Sequence, residues 1–232
     1  MLNNYRRIRL NPIGSNAFNL ITPREDIRSY KGYSFIIKRI IDVVLASLML
    51  SILALPMLLV MAAIKVDSKG SVFFSQPRVG LKGKKFNLLK FRTMVENADD
   101  LQIELEACNE VEGGVLFKIK EDPRITKVGK YLRRYSIDEI PQLINVIRGD
   151  MSLVGPRPLT MRDSSKLPRQ QLYRYDVLPG ITGMWQVYGR SDASSKQLHL
   201  YDRFYVYKWS LPLDFSILIK TVSVVIAGKG AY

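Results

Sequence analysis

Cysteine and histidine are almost absent from this sequence, whose 232 residues include one of each, Cys108 and His199. A single cysteine excludes an internal disulfide and any metal site built from several cysteines. A single histidine excludes zinc sites that need a histidine pair, and it leaves little scope for schemes in which an imidazole activates a serine or cysteine. Any chemistry must therefore rely on carboxylates and basic side chains, with or without a bound divalent ion.

Acidic residues are scarce relative to basic ones: 21 Asp and Glu stand against 35 Lys and Arg, a formal net charge of +14. Such an excess is typical of proteins that bind nucleic acid, an anionic membrane surface or a polyanionic substrate such as a phosphate ester. Apolar residues make up 47% of the 232 residues. This is enough for one domain with a core of its own, and it argues against intrinsic disorder.

Charges are missing altogether from residues 43–64, a run of 22 residues. As a helix the run would be about 33 Å long, enough to cross a bilayer core of roughly 30 Å. Pro56 lies inside the run and predicts a kink or break. Five basic residues flank each end, Arg24, Arg28, Lys31, Lys38 and Arg39 on one side and Lys65, Lys69, Arg78, Lys82 and Lys84 on the other.

These flanks bear on the topology of the apolar run. Short basic segments stay on the cytoplasmic side of a membrane, so a spanning helix has only one such flank. Here both ends favour the same side. We therefore expect residues 36–66 to form a re-entrant helix that enters the membrane, breaks at Pro56 and leaves by the same face. A spanning helix and a buried helix of a soluble protein are the alternatives.

The rest of the sequence predicts a mostly helical α/β domain over residues 67–232, preceded by a basic leader at residues 1–35 to which the sequence assigns no role. Residues 72–74 and 86–91 have strand-like patterns on either side of a basic, glycine-containing turn at residues 80–85. This arrangement predicts a small β-hairpin.

Further helices are predicted near the start and near the end of this domain. Residues 96–112 carry seven acidic residues and no basic ones, which is typical of a solvated helix. Residues 198–209 mix five aromatic residues with basic ones, and residues 211–219 are apolar. This mixture favours interfacial amphipathic helices in the headgroup layer, with an ordinary core helix as the alternative. His199 is interpreted as a surface or core residue.

Residues 136–142 predict the start of a helix that runs to about Gly149, because proline at position 141 is tolerated only in a first turn. Ser136 and Glu139 fit a capping box, or Asp138 is the N-cap, and neither interpretation needs a catalytic role. A carboxylate at a helix N-terminus is also kept ionised by the helix dipole. Such a carboxylate is suited to hold a divalent ion on a diphosphate or to attack phosphorus.

Basic residues surround this segment in the sequence. Arg133 and Arg134 lie just before it, and residues 155–158 form a Gly-Pro-Arg-Pro turn that presents Arg157 at low entropic cost. The planar guanidinium suits bidentate contact with phosphate oxygens, although a surface salt bridge is an alternative. Lys90 and Arg92 are predicted to share one face of a strand, as phosphate ligands or as solvated charges.

Eight motifs occur in order: Lys38-Arg39-Ile40-Ile41-Asp42, Lys90-Phe91-Arg92-Thr93-Met94, Asp122-Pro123-Arg124-Ile125-Thr126, Ser136-Ile137-Asp138-Glu139-Ile140-Pro141-Gln142, Gly149-Asp150-Met151-Ser152, Gly155-Pro156-Arg157-Pro158, Pro179-Gly180-Ile181-Thr182-Gly183 and Gln186-Val187-Tyr188-Gly189-Arg190. Over residues 36–228 the sequence resembles the bacterial sugar transferase family, the monotopic polyprenyl-phosphate phosphoglycosyl transferases. One departure is Leu55, where many members have a serine before the helix-breaking proline. A serine hydroxyl there satisfies a freed carbonyl, so Leu55 weakens the predicted break slightly.

The resemblance implies transfer of a sugar 1-phosphate from a UDP-sugar to undecaprenyl phosphate, with release of UMP and a covalent aspartyl phosphosugar intermediate. It implies that Asp138 is the nucleophile, that Glu139 is its partner, and that both carboxylates hold Mg²⁺ on the diphosphate. The residues alone do not choose between the two carboxylates. Substrate-binding positions implied by the motifs are Lys90, Arg133, Arg157 and Arg190.

The resemblance also implies a location and partners. A monotopic enzyme of this kind acts on the cytoplasmic face of the bacterial inner membrane, among anionic lipids, in the first membrane step of exopolysaccharide or glycoconjugate assembly. Its product passes to downstream glycosyltransferases, and a homo-oligomer is compatible with the sequence. The alternative is a non-enzymatic basic membrane-surface protein that recruits polysaccharide machinery. Nucleic-acid binding is not expected, since no motif supports it.

Overall fold

The computed structural model describes residues 32–98, 100–101, 119, 121–189 and 195–227. The described chain is mostly helical, with a small antiparallel sheet and one long apolar helix near the N-terminus, which confirms the predicted fold class at this level. Most of the predicted leader and acidic helix lie outside the described residues. The helices are α1 (Tyr33–Asp67), α2 (Lys127–Arg134), α3 (Gln142–Arg148), α4 (Met161–Ser165), α5 (Ser195–Lys208) and α6 (Leu211–Ile226), and the strands are β1 (Phe73–Val79), β2 (Lys85–Phe91), β3 (Ser152–Val154) and β4 (Gly180–Thr182).

Helix α1 contains Pro56 and continues through it as a single helix of 35 residues. The prediction that the helix breaks at this proline is therefore wrong. Proline removes one backbone hydrogen bond of the ladder, and the bonds on either side keep the helix continuous. Of the described residues, only this helix is long and apolar enough to cross a membrane, and hardly any of its most apolar part is buried.

One face of α1 contacts the rest of the protein in both halves of the helix. Its buried and half-buried residues recur every three to four positions within two groups: Lys38, Asp42, Ala46 and Leu50 in the first half, and Met57, Val60 and Ile64 in the second. The other faces are exposed and almost entirely apolar: Ile36, Ile37, Ile40, Ile41, Val44, Leu45, Leu48, Met49, Ile52, Leu55, Leu58, Leu59 and Val66. Since exposed apolar surface of this extent is rare on soluble monomers, α1 combines a protein-facing stripe with an unusually apolar outer surface.

Polar side chains fix both ends of α1 to the same body of the protein. Near its start, Nζ of Lys38 lies 2.5 Å from Oδ2 of Asp214 in α6, and Arg39 donates to main-chain carbonyls at the end of α3 and beyond it. At its end, Oδ2 of Asp67 accepts from the N–H of Val128 in the first turn of α2, over 3.0 Å. The two ends therefore lie against one folded unit.

The predicted hairpin is confirmed: β1 pairs antiparallel with β2, from Phe73 opposite Phe91 to Val79 opposite Lys85. Asn145 of α3 joins the hairpin to the following helix, because its Oδ1 accepts from the N–H of Leu89 over 3.0 Å and its Nδ2 donates to the carbonyl of Asn87 over 2.8 Å. The asparagine thus makes the contacts of a neighbouring strand and sets the position of β2 relative to α3.

Aromatic residues of α5 lie in the core, since Tyr201, Phe204, Tyr205 and Trp209 are all buried. The prediction of an interfacial helix over residues 198–209 is therefore wrong, and the core-helix alternative is confirmed. The aromatic and basic pattern did not reveal that the rings face inwards. Helix α6 differs, because an outward face at Phe215, Ile219, Val222 and Ile226 stays exposed.

Candidate active site

The carboxylates Asp138 and Glu139 lie in a single 3₁₀ turn between α2 and α3. Ser136 begins the turn in the left-handed region, with φ 56°, and its side chain makes no capping hydrogen bond. The capping-box interpretation is therefore wrong. Left-handed backbone is costly for a residue other than glycine, and residues strained in this way cluster at active and ligand-binding sites. Helix α3 itself starts only at Gln142, later than predicted.

Two basic side chains converge on this turn from distant parts of the chain. Nζ of Lys90, on β2, lies 2.7 Å from Oε1 of Glu139 and 3.3 Å from Oδ2 of Asp138. Nη2 of Arg157 donates to the same Oε1 of Glu139 over 2.8 Å. Glu139 is thus bound by two cations, whereas Asp138 has one longer contact with Lys90.

This unequal pairing separates the two carboxyl groups electrostatically. Burial acts to raise the pKa of Glu139, but Arg157 and Lys90 outweigh it and hold that pKa well below the ordinary value. Burial raises the pKa of Asp138, and Lys90 offsets this only in part while the charge of Glu139 adds to it. Pairs of groups whose environments push their pKa values apart are typical of catalytic sites with divided roles. Glu139 is a fixed anion, and Asp138 is the less compensated carboxylate.

The structure brings together most of the basic residues that the sequence predicted. Arg133 lies close enough to Asp138 for its charge to lower that carboxyl's pKa. Arg190 lies outside the described residues. Arg92 is not part of the site: β2 ends at Phe91, and the guanidinium of Arg92 donates instead to the carbonyl and hydroxyl of Ser68 after α1, so the prediction that it shares a face with Lys90 is wrong.

Main-chain contacts hold the turn that carries Arg157. The N–H of Gly155 donates to the carbonyl of Thr182 over 2.9 Å, and the N–H of Gly180 donates to the carbonyl of Pro156 over 3.0 Å. A Cβ on Gly155 would lie 2.3 Å from the carbonyl oxygen of Leu178, so only glycine allows this approach. The motif of residues 179–183 therefore supports the Gly-Pro-Arg-Pro turn.

Sequence reasoning missed a further arginine beside this turn. Arg78, on β1, donates Nη1 to the carbonyl of Pro158 over 3.2 Å and Nη2 to Oε1 of Gln76 over 2.6 Å. Burial, together with the charge of Arg157, lowers the pKa of Arg78 to about 10. The sequence counted Arg78 only as a flanking charge, and no local signal placed it behind Arg157.

The donor atoms of the site permit a limited form of metal binding. Among the described residues, no group of three or more Asp, Glu, His or Cys side chains is placed to hold an ion. Mg²⁺ in phosphate-processing sites typically takes one or two carboxylates and completes its shell with substrate oxygens and water. Asp138 and Glu139 fit that requirement, and they do not make a site that holds Mg²⁺ by protein ligands alone.

The family model of bacterial sugar transferases matches residues 33–228. The chain belongs to the bacterial sugar transferase family. This bacterial sugar transferase is 41% identical over 221 residues to the exopolysaccharide production protein ExoY of Sinorhizobium fredii, covering 94% of this chain and 96% of that protein. The family that the ordered motifs suggested is thereby confirmed.

Other relatives of this bacterial sugar transferase have names that state an activity. The UDP-galactose-lipid carrier transferase of Erwinia amylovora is 41% identical over 205 residues, which are 87% of this chain and 43% of that protein. The UDP-glucose:undecaprenyl-phosphate glucose-1-phosphate transferase of Caulobacter vibrioides is 40% identical over 204 residues, which are 84% of this chain and 72% of that protein. The chain therefore spans less than half of the Erwinia protein and nearly all of ExoY.

Proposed function

We propose that this chain transfers a sugar 1-phosphate from a UDP-sugar to undecaprenyl phosphate, releasing UMP and leaving a polyprenyl diphosphosugar. The observation that carries the proposal is the pair of adjacent buried carboxylates with unequal compensation, Glu139 bound by two cations and Asp138 left with one longer contact. The names of the Erwinia and Caulobacter relatives support the same reaction class.

In the first step, a carboxylate oxygen of Asp138 attacks the β-phosphorus of the UDP-sugar. The new bond is between that oxygen and phosphorus, and the bond that breaks joins the β-phosphorus to the oxygen bridging to the α-phosphorus. UMP leaves with that bridging oxygen and the electron pair. The attacking group is the ionised carboxylate, a form that the positive charges of Lys90 and Arg133 favour. An aspartate that attacks in this form has no proton to lose, so the step requires no imidazole base.

In the second step, a phosphate oxygen of undecaprenyl phosphate attacks the same phosphorus. The bond between phosphorus and Asp138 breaks and the electron pair returns to the carboxylate. The sugar phosphate leaves on the lipid as a diphosphate, and the site is ready for another donor. Charge is conserved in both steps, because each exchanges one oxyanion for another at phosphorus.

The neighbouring residues orient the substrates and neutralise charge. Glu139 holds Lys90 and Arg157 in place, and the N–H groups that these side chains do not use on Glu139 serve the diphosphate oxygens. Arg133 adds positive charge beside Asp138, and the family motif adds Arg190. Asp138 and Glu139 would hold Mg²⁺ on the donor diphosphate, where the ion, when bound, supplies charge neutralisation.

A monotopic position of α1 is part of this proposal: both ends lie on the same face of the membrane, as in the re-entrant topology, although the helix is continuous at Pro56. A spanning helix would place its two ends on opposite sides of the bilayer, yet Lys38 and Asp67, near the two ends of α1, bind the same folded unit. Both halves of the helix contact the body, so the charged body would have to enter the membrane with a spanning helix. We therefore place α1 in one leaflet, on the cytoplasmic face of the bacterial inner membrane, where nucleotide sugars are available.

Labelling tests the topology directly. In a Cys108→Ser background, cysteines at the exposed positions Ser34 and Lys69 are treated in intact cells with a reagent that does not cross the inner membrane. Protection of both positions, with labelling after lysis, agrees with a monotopic helix that has both ends on the cytoplasmic side. Labelling of one position alone would establish a spanning helix.

The alternative, a non-enzymatic protein that recruits polysaccharide machinery, needs the dyad only as a helix cap. That role is not favoured, because the side chain of Ser136 makes no capping bond and Glu139 binds Lys90 and Arg157 instead. In the enzymatic proposal the product passes to downstream glycosyltransferases of exopolysaccharide assembly.

A UMP-release assay tests the reaction. Purified protein in anionic-lipid nanodiscs is given undecaprenyl phosphate and each of a panel of UDP-sugars, with Mg²⁺ or with EDTA. We expect UMP with at least one donor, loss of release in Asp138→Asn and retained release in the exposed control Asp100→Asn. Full activity of Asp138→Asn would remove this residue as the nucleophile. No release from the wild-type protein with any donor would remove the reaction.

A further inference from the structure

A buried arginine lies directly behind the proposed donor-phosphate arginine. Arg174 belongs to the 3₁₀ segment Arg169–Asp176 and is 3% exposed. Its Nη2 donates to the main-chain carbonyl of Arg157 over 2.7 Å and lies 3.0 Å from Oδ2 of Asp202 in α5, which is also buried. A chain of contacts thus runs from Asp202 through Arg174 to Arg157, and from there to Glu139.

Arg174 holds the turn at residues 155–158 by a side-chain hydrogen bond to the main chain of Arg157. Gly155 and Pro156 are held by main-chain bonds to the β4 segment, whereas the carbonyl of Arg157 itself is bound by a side chain. The bond from Arg174 therefore restrains the main chain at Arg157 itself.

Burying the ion pair of Arg174 and Asp202 removes two charges from water, which costs solvation free energy. Replacing a buried ion pair by well-packed apolar residues is often neutral or stabilising, so such a pair is weak evidence for a stabilising role. Nη2 of Arg174 contacts both the carboxylate of Asp202 and the main-chain carbonyl of Arg157, which an apolar side chain does not reproduce. The two contacts of Arg174 are therefore suited to fix the position of Arg157.

We propose that Arg174 is a positioning residue for Arg157 and that Asp202 holds Arg174 in place, so that helix α5 helps to set the geometry of the donor-phosphate arginine. This inference rests on the proposed function, in which Arg157 contacts the donor diphosphate. It assigns Arg174 no contact with substrate. Its effect on the reaction should therefore pass entirely through Arg157.

A double-mutant cycle measures whether the effect passes through Arg157. Because misplacement by about 1 Å can cost on the order of a hundredfold in rate, we expect Arg174→Gln to lower kcat/KM for the UDP-sugar by about tenfold to a hundredfold. The ratio kcat/KM for undecaprenyl phosphate, which reports only the second step, should not change. In the Arg157→Gln background, the added Arg174→Gln should have almost no further effect, since coupled residues are non-additive. Arg169→Gln, an exposed arginine of the same segment, is the matched control.

A second variant guards against loss of folding. If Arg174→Gln does not give folded protein, Asp202→Asn removes only the counter-charge and should show a smaller loss with the same non-additivity toward Arg157→Gln. Additive effects in the cycle, or an equal loss in the Arg169→Gln control, would overturn the proposal.

Hydrogen exchange provides a readout that does not depend on activity. We expect faster amide exchange over residues 153–160 in Arg174→Gln than in wild type or Arg169→Gln. Unchanged exchange there would overturn the positioning role even in an active enzyme. A wild-type protein without transferase activity would instead overturn the proposed function, so the two failures are distinguishable.

Discussion

Nζ of Lys90 lies closer to Glu139 than to Asp138, at 2.7 Å from Oε1 of the glutamate and 3.3 Å from Oδ2 of the aspartate. The lysine is therefore bound mainly to the carboxylate that does not act as nucleophile in our account. Arg157 strengthens this bias, since its contact is with Glu139 alone. The two neighbouring carboxylates consequently have different expected responses to substitution.

Neutralising Glu139 should reduce activity less than neutralising Asp138. In Glu139→Gln, Lys90 and Arg157 lose their anchor and the nucleophile remains, so we expect kcat/KM to fall by about a hundredfold to a thousandfold. In Asp138→Asn the nucleophile is absent, and the loss should reach about 10⁴-fold or more. UMP release by both variants under saturating acceptor is the measurement. The reverse order would assign the nucleophile to Glu139.

Asn145 should affect both stability and activity, because it joins the strand of Lys90 to helix α3. Asn145→Ala leaves the N–H of Leu89 and the carbonyl of Asn87 without their partner, at a cost of roughly 1–3 kcal/mol for each unsatisfied buried group. We expect a lower melting temperature and a reduced kcat/KM for the UDP-sugar. The exposed Asn97→Ala is the control, and a variant with wild-type melting temperature and activity would contradict the role.

Lys38 should be needed to hold α1 against the body. Lys38→Met leaves Asp214 buried without its cation, which typically costs about 3–5 kcal/mol. The double variant Lys38→Met with Asp214→Asn should recover part of the loss, because it removes the uncompensated charge. Thermal unfolding of the single and the double variant, each purified in one and the same detergent, measures the loss and the recovery. The exposed Lys84→Met is the control. A double variant less stable than the sum of the single effects would contradict this account of the pair.

Stability should depend on pH through Asp202. Burial raises the pKa of this carboxyl to about 6, and the attraction of Arg174 offsets burial only in part. The unfolded value is about 3.9, so the folded state binds the proton more tightly. Tighter proton binding by Asp202 stabilises the folded state. This stabilisation is complete below about pH 4 and is lost as the pH rises through about 6.

Asp202→Asn removes this dependence. The free energy of unfolding of wild type minus that of the variant should fall by roughly 2 kcal/mol between about pH 4.5 and 7.5. Two other groups near the pair do not imitate the effect. Burial raises the pKa of Tyr173, and it lowers the pKa of His199 to about 4, which makes the contribution of His199 to stability rise with pH instead of falling. A pH-independent difference between the proteins would contradict the assignment.

The sequence predicted the parts of the site that lie within short motifs. The Asp-Glu dyad, Lys90 on a hairpin strand and Arg157 on a proline-flanked turn are each readable from local pattern and from the family's motifs. Local pattern did not reveal that Lys90 and Arg157 meet on one oxygen of Glu139. Those three residues are brought together by tertiary contacts that no periodicity encodes.

The errors have a related origin. An aromatic helix such as α5 has the same composition whether its rings face lipid headgroups or a core, and here Tyr205 and Trp209 are buried. Pro56 predicted a break because its local cost is known, but the local cost does not include the contacts along α1 that keep the helix in place. Arg174 had no signal at all, since its partners lie 17 and 28 residues away in sequence.

The most direct test of the central claim is the mass of the enzyme after it reacts with donor alone. Purified protein is incubated with an active UDP-sugar and no polyprenyl phosphate, quenched in acid and measured by intact mass spectrometry with peptide mapping. The account predicts an added mass equal to one sugar phosphate, located on Asp138, absent in Asp138→Asn and removed when undecaprenyl phosphate is supplied. A wild-type enzyme that completes transfer without any such adduct, or an adduct on another residue, would contradict it.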